Sequence, residues 1–137
     1  MARDLYHNNV REALQKEGWL ITHDPYGIEI DEVSYEIDLG VEPIIAAEKE
    51  GNKIAVEIKS FAGTSTVSEF HRAVGQFVDY GVAMRMQEPD RVLYLAVPQI
   101  TYDSFFQKRV IQATLDHINC KLIVYNPQNN TIVSWIK

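Results

Sequence analysis

The chain has 137 residues, of which 46% are hydrophobic and 23% charged, and its formal net charge is −6. This length and composition predict one folded domain over residues 1–137 and argue against a disordered chain. A protein that binds nucleic acid by itself usually has a basic surplus, so such a role would require a local basic face, bound metal cations or a partner protein.

The cellular location can be narrowed from the same sequence. No hydrophobic run approaches the roughly 18–20 residues that span a bilayer. The polar stretch MARDLYHNNVREAL at the N-terminus does not resemble a secretory signal. Cys120 is the single cysteine, so it cannot form an internal disulfide, and it is expected to pack as a small hydrophobic group. We therefore expect a cytoplasmic protein without a membrane segment.

The N-terminal part predicts a helix and then three strands. Hydrophobic residues near helical spacing cover residues 4–17, with Asp4 as a candidate N-cap and Gly18 as the stop signal. A turn at residues 50–52 predicts that the third strand returns antiparallel to the second. The three strands are expected at residues 19–23, at 35–40 with a continuation past Pro43 to 49, and at 53–61.

The C-terminal part predicts two helices and three strands. Residues 65–86 form the clearest helix, with a hydrophobic stripe made by Val67, Phe70, Val74, Phe77, Val78 and Val82. The remaining elements are a buried strand at 91–98, a helix at 101–118, and strands at 120–126 and 131–137. This order predicts an α/β fold, in which a mixed central sheet is flanked by helices. The last strand is a candidate edge that could pair with a second copy, giving a homo-oligomer.

Two charged residues lie within the third predicted strand, IAVEIKSF at residues 54–61. Because side chains alternate along a strand, Glu57 and Lys59 share one face and lie about 6.5–7 Å apart. Asp38 or Glu36 of the preceding strand can lie near the same face. Two adjacent carboxylates favour a cation between them, and Mg²⁺ takes one or two protein carboxylates together with phosphate oxygens. A neighbouring lysine suits metal-assisted phosphodiester cleavage.

A purely structural explanation is also available for this pair. Charged residues are common in strands, and Glu57 with Lys59 could form an ordinary ion pair. The following helix favours the functional interpretation, because Gln76 and Tyr80 are four residues apart and therefore lie on one face. Both belong to a predicted polar stripe with Glu69, Arg72 and Ala73, and a tyrosine gains little from an exposed position.

The order Asp38, Glu57-Ile58-Lys59 and Gln76-x-x-x-Tyr80 resembles the PD-(D/E)xK nuclease superfamily, specifically its branch with a Gln-x-x-x-Tyr helix. The segments ARDLYHNNVREALQKEGWLITHDP, IDLGVE, IAVEIKSF, GQFVDY and RVLYLAVP together resemble the XisH family of fdxN-element excision controlling factors. The resemblance covers nearly the whole chain. It implies a restriction-endonuclease-like fold with an α-β-β-β-α-β core.

The resemblance also implies a role in excising a DNA element in cyanobacteria, together with a site-specific recombinase and a small companion called XisI. Asp38 and Glu57 match the metal-binding acids of the superfamily, with Mg²⁺ or Mn²⁺ as the expected ion. Lys59 matches the catalytic lysine, and Gln76 and Tyr80 match the accessory pair. Ile37 replaces the usual proline before Asp38, which leaves Glu36 as the alternative first acid.

The first helix offers candidates for phosphate contact. Arg3, His7 and Arg11 could lie at the edge of the cleft, with His7 as the first choice, or they could form an ordinary cap and solvated face. Glu12 is a candidate for a further metal ligand. The other histidines have neither a partner histidine nor a cysteine at zinc-like spacing, so no structural zinc is expected.

Three functional interpretations follow from these patterns. The first is a metal-dependent nuclease that acts through Asp38, Glu57 and Lys59. The second is a catalytically silent accessory factor on a nuclease scaffold, which the acidic net charge favours. In the third, a small-molecule or protein-binding domain, the Glu57–Lys59 pair is only structural.

Overall fold

The structure is a computed structural model that describes residues 4–35 and 42–137. A six-stranded mixed sheet runs through it in the order β1-β4-β5-β6-β7-β8, and β2 pairs with β3 in a separate short hairpin. The strands are β1 Leu20–His23, β2 Glu29–Ile30, β3 Val33–Ser34, β4 Ile45–Lys49, β5 Asn52–Ile58, β6 Arg91–Pro98, β7 Leu122–Asn126 and β8 Thr131–Ile136. The helices are α1 His7–Lys16, α2 Thr66–Gln87, α3 Gln99–Asp103 and α4 Arg109–His117, with a 3₁₀ turn at Phe105–Gln107.

The direction of the strands divides the sheet into two parts. β5, β6 and β7 are parallel to one another, whereas β1, β4 and β8 pair antiparallel with their neighbours. The helix α2 connects β5 to β6, as parallel strands require. The predicted mixed α/β fold is confirmed, and the single domain over residues 1–137 stays a prediction.

The hairpin between β4 and β5 forms as its turn residues predict. Lys49 pairs with Asn52, so only Glu50 and Gly51 make the turn. Their φ angles are 53° and 83°, the positive values that a tight two-residue hairpin of this kind requires. This hairpin fixes the register of β5 and therefore the face on which Glu57 lies.

The helix α1 also ends as its sequence predicts. Gly18 has a φ of 91°, a conformation that glycine adopts with little strain. The N–H of Trp19 donates to the carbonyl of Leu14, and the N–H of Gly18 donates to that of Gln15. This Schellman pattern satisfies the last carbonyls of the helix. At the other end, the carboxylate of Asp4 accepts from the N–H of Tyr6, but α1 begins only at His7, so Tyr6 and not the predicted Asp4 occupies the N-cap position.

Two hydrophobic layers cover the sheet. On one face, Val10 and Leu14 of α1 pack on Ile54, Val56 and Ile58. On the other face, α2 and α4 pack on the sheet together with the 3₁₀ turn. Residues of this second layer include Ala55, Phe70, Tyr80, Phe106, Ile111 and Leu115.

The buried face of α2 differs from the predicted one. Ser65 caps the helix as a good N-cap residue should, accepting from the N–H of Ser68 at 3.2 Å. Within the predicted hydrophobic stripe, however, Val67, Val78 and Val82 are exposed. The buried residues of the helix are Phe70, Ala73, Phe77, Tyr80, Ala83 and Met84. The hydrophobic pattern was misleading because a tyrosine and two alanines, rather than valines, face the sheet.

The helix predicted at residues 101–118 is divided into α3, the 3₁₀ turn and α4. The chain leaves helical geometry at Ser104 and again at Lys108, where ψ is 140°. This break lets Phe106 enter the core, where its ring lies 5.4 Å from that of Phe61 and 5.7 Å from that of Phe70. A continuous helix was predicted because its spacing gave no sign of this inward turn.

The other predicted elements either agree with the structure or fall on residues that it does not describe. The strands predicted around β1, β6, β7 and β8 are confirmed within two residues at each end. A strand was also predicted at residues 35–40. Tyr35 comes directly after β3 and belongs to no strand, and residues 36–40 lie outside the described residues. β8 is an edge strand of the sheet, and its pairing with a second copy stays a prediction. Among the helices of residues 4–35 and 42–137, none has the length and hydrophobicity needed to cross a membrane.

Candidate functional site

The strand β5 carries its side chains to opposite faces as the sequence predicts. Ile54, Val56 and Ile58 point into the layer under α1. Ala55 points into the layer under α2, and Glu57, two residues further on, shares that face. The N–H of Lys59 donates to the carbonyl of Ala96 at 3.0 Å, so the backbone remains aligned with β6 one residue beyond the strand.

Lys59 follows the last residue of β5, and three side chains surround its ammonium group. Its Nζ donates to Oε1 of Gln76 at 2.6 Å and to Oε2 of Glu42 at 3.3 Å. It also lies 3.8 Å from Oε2 of Glu57, at the outer limit of an ion pair. Lys59 is only 7% exposed, so its ammonium group is fixed in place instead of moving freely in solvent.

Glu57 is the most unusual residue of this site. It is 2% exposed, and neither of its carboxylate oxygens has a hydrogen-bond partner among the described residues. Burial raises the pKa of Glu57 to about 8; Lys59 opposes this shift and Glu42 adds to it. A buried carboxylate without hydrogen bonds is unstable as an anion, so at neutral pH without a bound cation the group holds a proton.

Gln76 and Tyr80 of α2 both face this cluster, but only Gln76 contacts Lys59 by a hydrogen bond. Tyr80 is 1% exposed and belongs to the core, in contrast to the polar stripe in which it was predicted. Its hydroxyl has no partner within the described part of the chain. Burial raises the pKa of Tyr80, and the negative charge of Glu57 adds to this shift.

The predicted first acid cannot be placed beside Glu57. Asp38 and its alternative Glu36 both lie outside the described residues, and Asp38 as a metal ligand stays a prediction. Within residues 4–35 and 42–137, no three His, Cys, Asp or Glu side chains are grouped so that they could hold a metal ion. The buried, unpaired oxygens of Glu57 nevertheless fit one ligand of a divalent ion.

Glu42 is a member of the cluster that sequence reasoning missed. Its carboxylate contacts Lys59 from the segment just before Pro43, and it raises the pKa of Glu57. Glu42 is the last residue of the family-like segment IDLGVE, but that segment alone does not predict a contact with Lys59. Its position gives the site a second carboxylate near Lys59.

The predicted phosphate-contacting residues form a second cluster around Asp24. Nε2 of His7 lies 2.8 Å from Oδ1 of Asp24, and an Arg11 nitrogen donates to Oδ2 of the same carboxylate at 2.5 Å. His7 is 2% exposed, so in this arrangement it offers no surface to a phosphate at the edge of a cleft. Arg11 is 38% exposed. Contact with phosphate stays a prediction for both residues, and Arg3 lies outside the described residues.

Asp24 follows β1 directly, and its side chain is 3% exposed and organises this cluster. Glu12 does not fit the role of a further metal ligand. It belongs to α1, on the face of the sheet opposite Glu57, and it accepts a hydrogen bond from Asn130. Cys120 packs beside the core, and burial raises the pKa of its thiol to about 12, as expected for a hydrophobic rather than a nucleophilic cysteine.

Comparison with known proteins identifies the family. The family model described as "XisH protein" matches residues 1–133. The chain belongs to the XisH family. A crystal structure of an XisH family protein from Nostoc punctiforme PCC 73102 matches with 44% identity and a TM-score of 0.89. That of an fdxN element excision controlling factor protein from Anabaena variabilis matches with 46% identity and a TM-score of 0.90. Each alignment covers 98% of this chain and 100% of the other.

A search of curated proteins found no match. The resemblance to the XisH family noted from the sequence is therefore confirmed by the family model and by two solved structures. The similarity extends over the whole fold, so the β5–α2 cluster lies within the matched region. The restriction-endonuclease-like interpretation of this family fold stays a prediction.

Proposed function

We propose that this protein is a controlling factor for the excision of a DNA element and that it contributes a Mg²⁺-dependent phosphodiester site. The first part is supported by its 46% identity to the Anabaena variabilis protein named as an fdxN element excision controlling factor. The second part rests on the cluster at the end of β5 and includes the restriction-endonuclease-like interpretation of the fold. DNA is the proposed substrate.

The observation that carries the metal proposal is the unpaired carboxylate of Glu57. A buried acid normally gains hydrogen bonds or a close cation, because a bare buried charge is costly. Lys59 is nearby but donates to Gln76 and Glu42, leaving both Glu57 oxygens without a hydrogen bond in the described part of the structure. A divalent ion would supply the missing charge.

The residues of the chain take distinct roles in this proposal. Asp38 and Glu57 would hold Mg²⁺ or Mn²⁺, which, when bound, supplies charge stabilisation for the phosphate and favours ionisation of an attacking water. Gln76 fixes the position of the Lys59 ammonium group, as its 2.6 Å hydrogen bond indicates. Lys59 would stabilise negative charge on the phosphate or orient the water. Tyr80 lines the inner wall of the site.

A second function is supported by different observations. The net charge of −6 disfavours DNA binding by this chain alone. The exposed valines of α2, at positions 67, 78 and 82, suit a protein interface better than a surface in water. The protein would then be a catalytically silent accessory factor that binds an XisI-type companion or a site-specific recombinase.

The decisive experiment compares wild type with Lys59→Ala. Purified proteins are incubated with plasmid, short duplexes and RNA in Mg²⁺ or Mn²⁺. The nuclease proposal expects cleavage by wild type and a loss of roughly 100-fold or more in Lys59→Ala, since removing a positioned charge from a transition state has an effect of this order. Lys108→Ala, which removes an exposed lysine at the start of α4, is the matched control and should cleave like wild type.

Equal cleavage by wild type and Lys59→Ala would contradict the nuclease proposal. Excision measured in cells with the companion and recombinase present distinguishes the second function. If Lys59→Ala supports normal excision while a charge placed on the valine surface, Val78→Glu, abolishes both excision and partner binding, the protein acts as an accessory factor. Loss of excision in Lys59→Ala with partner binding intact would contradict that alternative.

A further inference from the structure

A cavity of about 710 Å³ lies at the carboxyl ends of the three parallel strands. Ser60 enters its wall just after β5, Pro98 at the end of β6 and Asn126 at the end of β7. Crevices at the carboxyl ends of parallel strands are the usual ligand sites of open α/β sheets. Neither Glu57 nor Lys59 lines this cavity, so it is separate from the cluster described above.

The wall of the cavity is almost free of charge. It contains no lysine or arginine, and Asp103 is its one charged side chain among the described residues. Phe61 and Ile100 provide hydrophobic surfaces, and Ile100 is 80% exposed at the rim. Such a wall suits a ligand, or a part of a ligand, that is uncharged and has hydrophobic faces.

Several polar groups on the wall have no partner in the described part of the chain. The side chains of Tyr6, Ser60, Gln99 and Thr101 line the cavity and make no hydrogen bond there. Convergent polar groups around a hydrophobic space are typical of sites that bind small organic groups. Gln99 is notable because glutamine can both donate to and accept from the edge of a heteroaromatic ring.

The backbone of Lys59 and Ser60, which lies between the cavity and the cluster, is fixed by two hydrogen bonds. The carboxylate of Asp4 accepts from the N–H of Ser60 at 3.0 Å, and the hydroxyl of Tyr125 donates to the carbonyl of Lys59 at 3.0 Å. Lys59 and Ser60 are adjacent residues, and they face the cluster and the cavity respectively. A group held in the cavity would therefore lie next to the proposed phosphodiester site.

From this arrangement we infer that the cavity binds one unpaired nucleobase of the DNA strand whose phosphate meets Lys59. This inference rests on the proposed function and adds its substrate class. A nucleobase is flat and uncharged, with hydrophobic faces and hydrogen-bonding edges, as the wall requires. Because a base inside a duplex cannot enter a pocket without leaving the stack, the preferred substrate has a single-stranded overhang or a frayed end.

The test measures DNA binding without a divalent ion, so that no strand is cut. Fluorescently labelled blunt duplexes and duplexes with a single-stranded overhang are compared by anisotropy. Wild type is expected to bind the overhang substrate at least tenfold more tightly. Ala62→Trp, at an exposed position of the cavity wall, should fill the cavity and abolish this preference. Ala113→Trp, at an exposed position of α4, is the matched control and should retain it.

A second variant keeps the test valid if Ala62→Trp does not fold. Gln99→Ala removes the amide from the rim without adding bulk, and it should reduce the overhang preference at least threefold. Equal binding of the two substrates by wild type, or an undiminished preference in both Ala62→Trp and Gln99→Ala, would overturn the inference. Shifts in the amide signals of Ser60 and Ala62 on adding free deoxynucleosides, without an overhang preference, would show that the ligand is a free nucleoside and would also overturn it.

The outcomes separate this inference from the proposed function. If Lys59→Ala cleaves as wild type does, but the overhang preference is present and depends on the cavity, the phosphodiester site is wrong and the base-binding cavity stands. If Lys59 is required for cleavage but Ala62→Trp cleaves and binds both substrates as wild type does, the phosphodiester site stands and the cavity has no role in recognition.

Discussion

Two buried carboxylates in this protein, Asp24 and Glu57, differ in their hydrogen bonding. At the end of β1, both carboxylate oxygens of Asp24 are used, one by His7 and the other by Arg11. At the end of β5, both oxygens of Glu57 lack a hydrogen bond within residues 4–35 and 42–137. The two carboxylates are almost equally buried, at 3% and 2% exposure.

This difference separates a structural cluster from a candidate functional one. A carboxylate with complete hydrogen bonding stabilises its surroundings and needs no ligand. A buried carboxylate without hydrogen bonds destabilises the fold when it is charged, and such sites are often retained for chemistry. The comparison therefore assigns Asp24 to the architecture of the α1–β1 corner and Glu57 to the proposed site.

The largest expected effect comes from breaking the paired cluster. Asp24→Ala should lower the free energy of unfolding by about 3 kcal/mol, because the buried His7 loses its acceptor and the partly exposed Arg11 loses its ion pair. Urea unfolding at pH 7 measures this loss. Asp116→Ala removes an exposed acid of α4 and should change stability by less than about 0.5 kcal/mol. A loss below 1 kcal/mol for Asp24→Ala would show that the cluster is not structural.

Removing the carboxylate of Glu57 should stabilise the protein, in contrast to the loss expected for Asp24→Ala. Because the pKa of Glu57 is raised to about 8, the folded protein holds a proton that the unfolded chain releases above its usual pKa of 4.5. The ionisation equilibrium of Glu57 should therefore cost no stability below pH 4.5 and progressively more up to about pH 8. Without metal, Glu57→Gln should raise the free energy of unfolding by roughly 2–3 kcal/mol at pH 7.

Urea unfolding from pH 4.5 to 9 measures this dependence. The decline in stability with rising pH should be shallower in Glu57→Gln, while Glu50→Gln, in the exposed β4–β5 turn, should follow wild type. A destabilised Glu57→Gln with an unchanged pH profile would mean that Glu57 is satisfied in the native state, and the contrast with Asp24 would disappear.

Smaller changes in stability are expected when the hydroxyl groups of two buried tyrosines are removed. Tyr80→Phe removes a hydroxyl without a partner in the described part of the chain and should change stability by less than about 1 kcal/mol, in the stabilising direction. Tyr125→Phe removes a hydroxyl that donates to the carbonyl of Lys59 and should lose about 1–2 kcal/mol. Thermal and urea unfolding compare the pair. Equal losses would show that Tyr80 also has a hydrogen-bond partner.

Sequence reasoning found much of the site because strand periodicity is simple. Alternation along β5 placed Glu57 and Lys59 on one face, and the resemblance to the nuclease superfamily associated Gln76 with them. The turn residues Glu50 and Gly51 predicted the hairpin that sets this register. These features depend on local geometry, which the sequence encodes directly.

The features that were missed depend on tertiary packing. The valines of α2 predicted the wrong buried face, because the sheet accepts the ring of Tyr80 and the small side chain of Ala73 instead. Asp24 lies in a segment with ordinary turn composition, and its burial follows only from the way α1 crosses β1. Glu42 contacts Lys59 from the end of the segment IDLGVE, and this contact depends on tertiary packing that the segment does not encode.

Calorimetric titration with Mn²⁺ at pH 7 and pH 9 tests the central claim, that Glu57 is a metal ligand, most directly. Wild type and the Glu50→Gln control should bind one ion, about tenfold more tightly at pH 9, because Glu57 must lose its proton before it can bind a cation. Glu57→Gln should bind at least tenfold more weakly at pH 9. Equal affinity of Glu57→Gln and wild type, or no binding by wild type at either pH, would contradict the account.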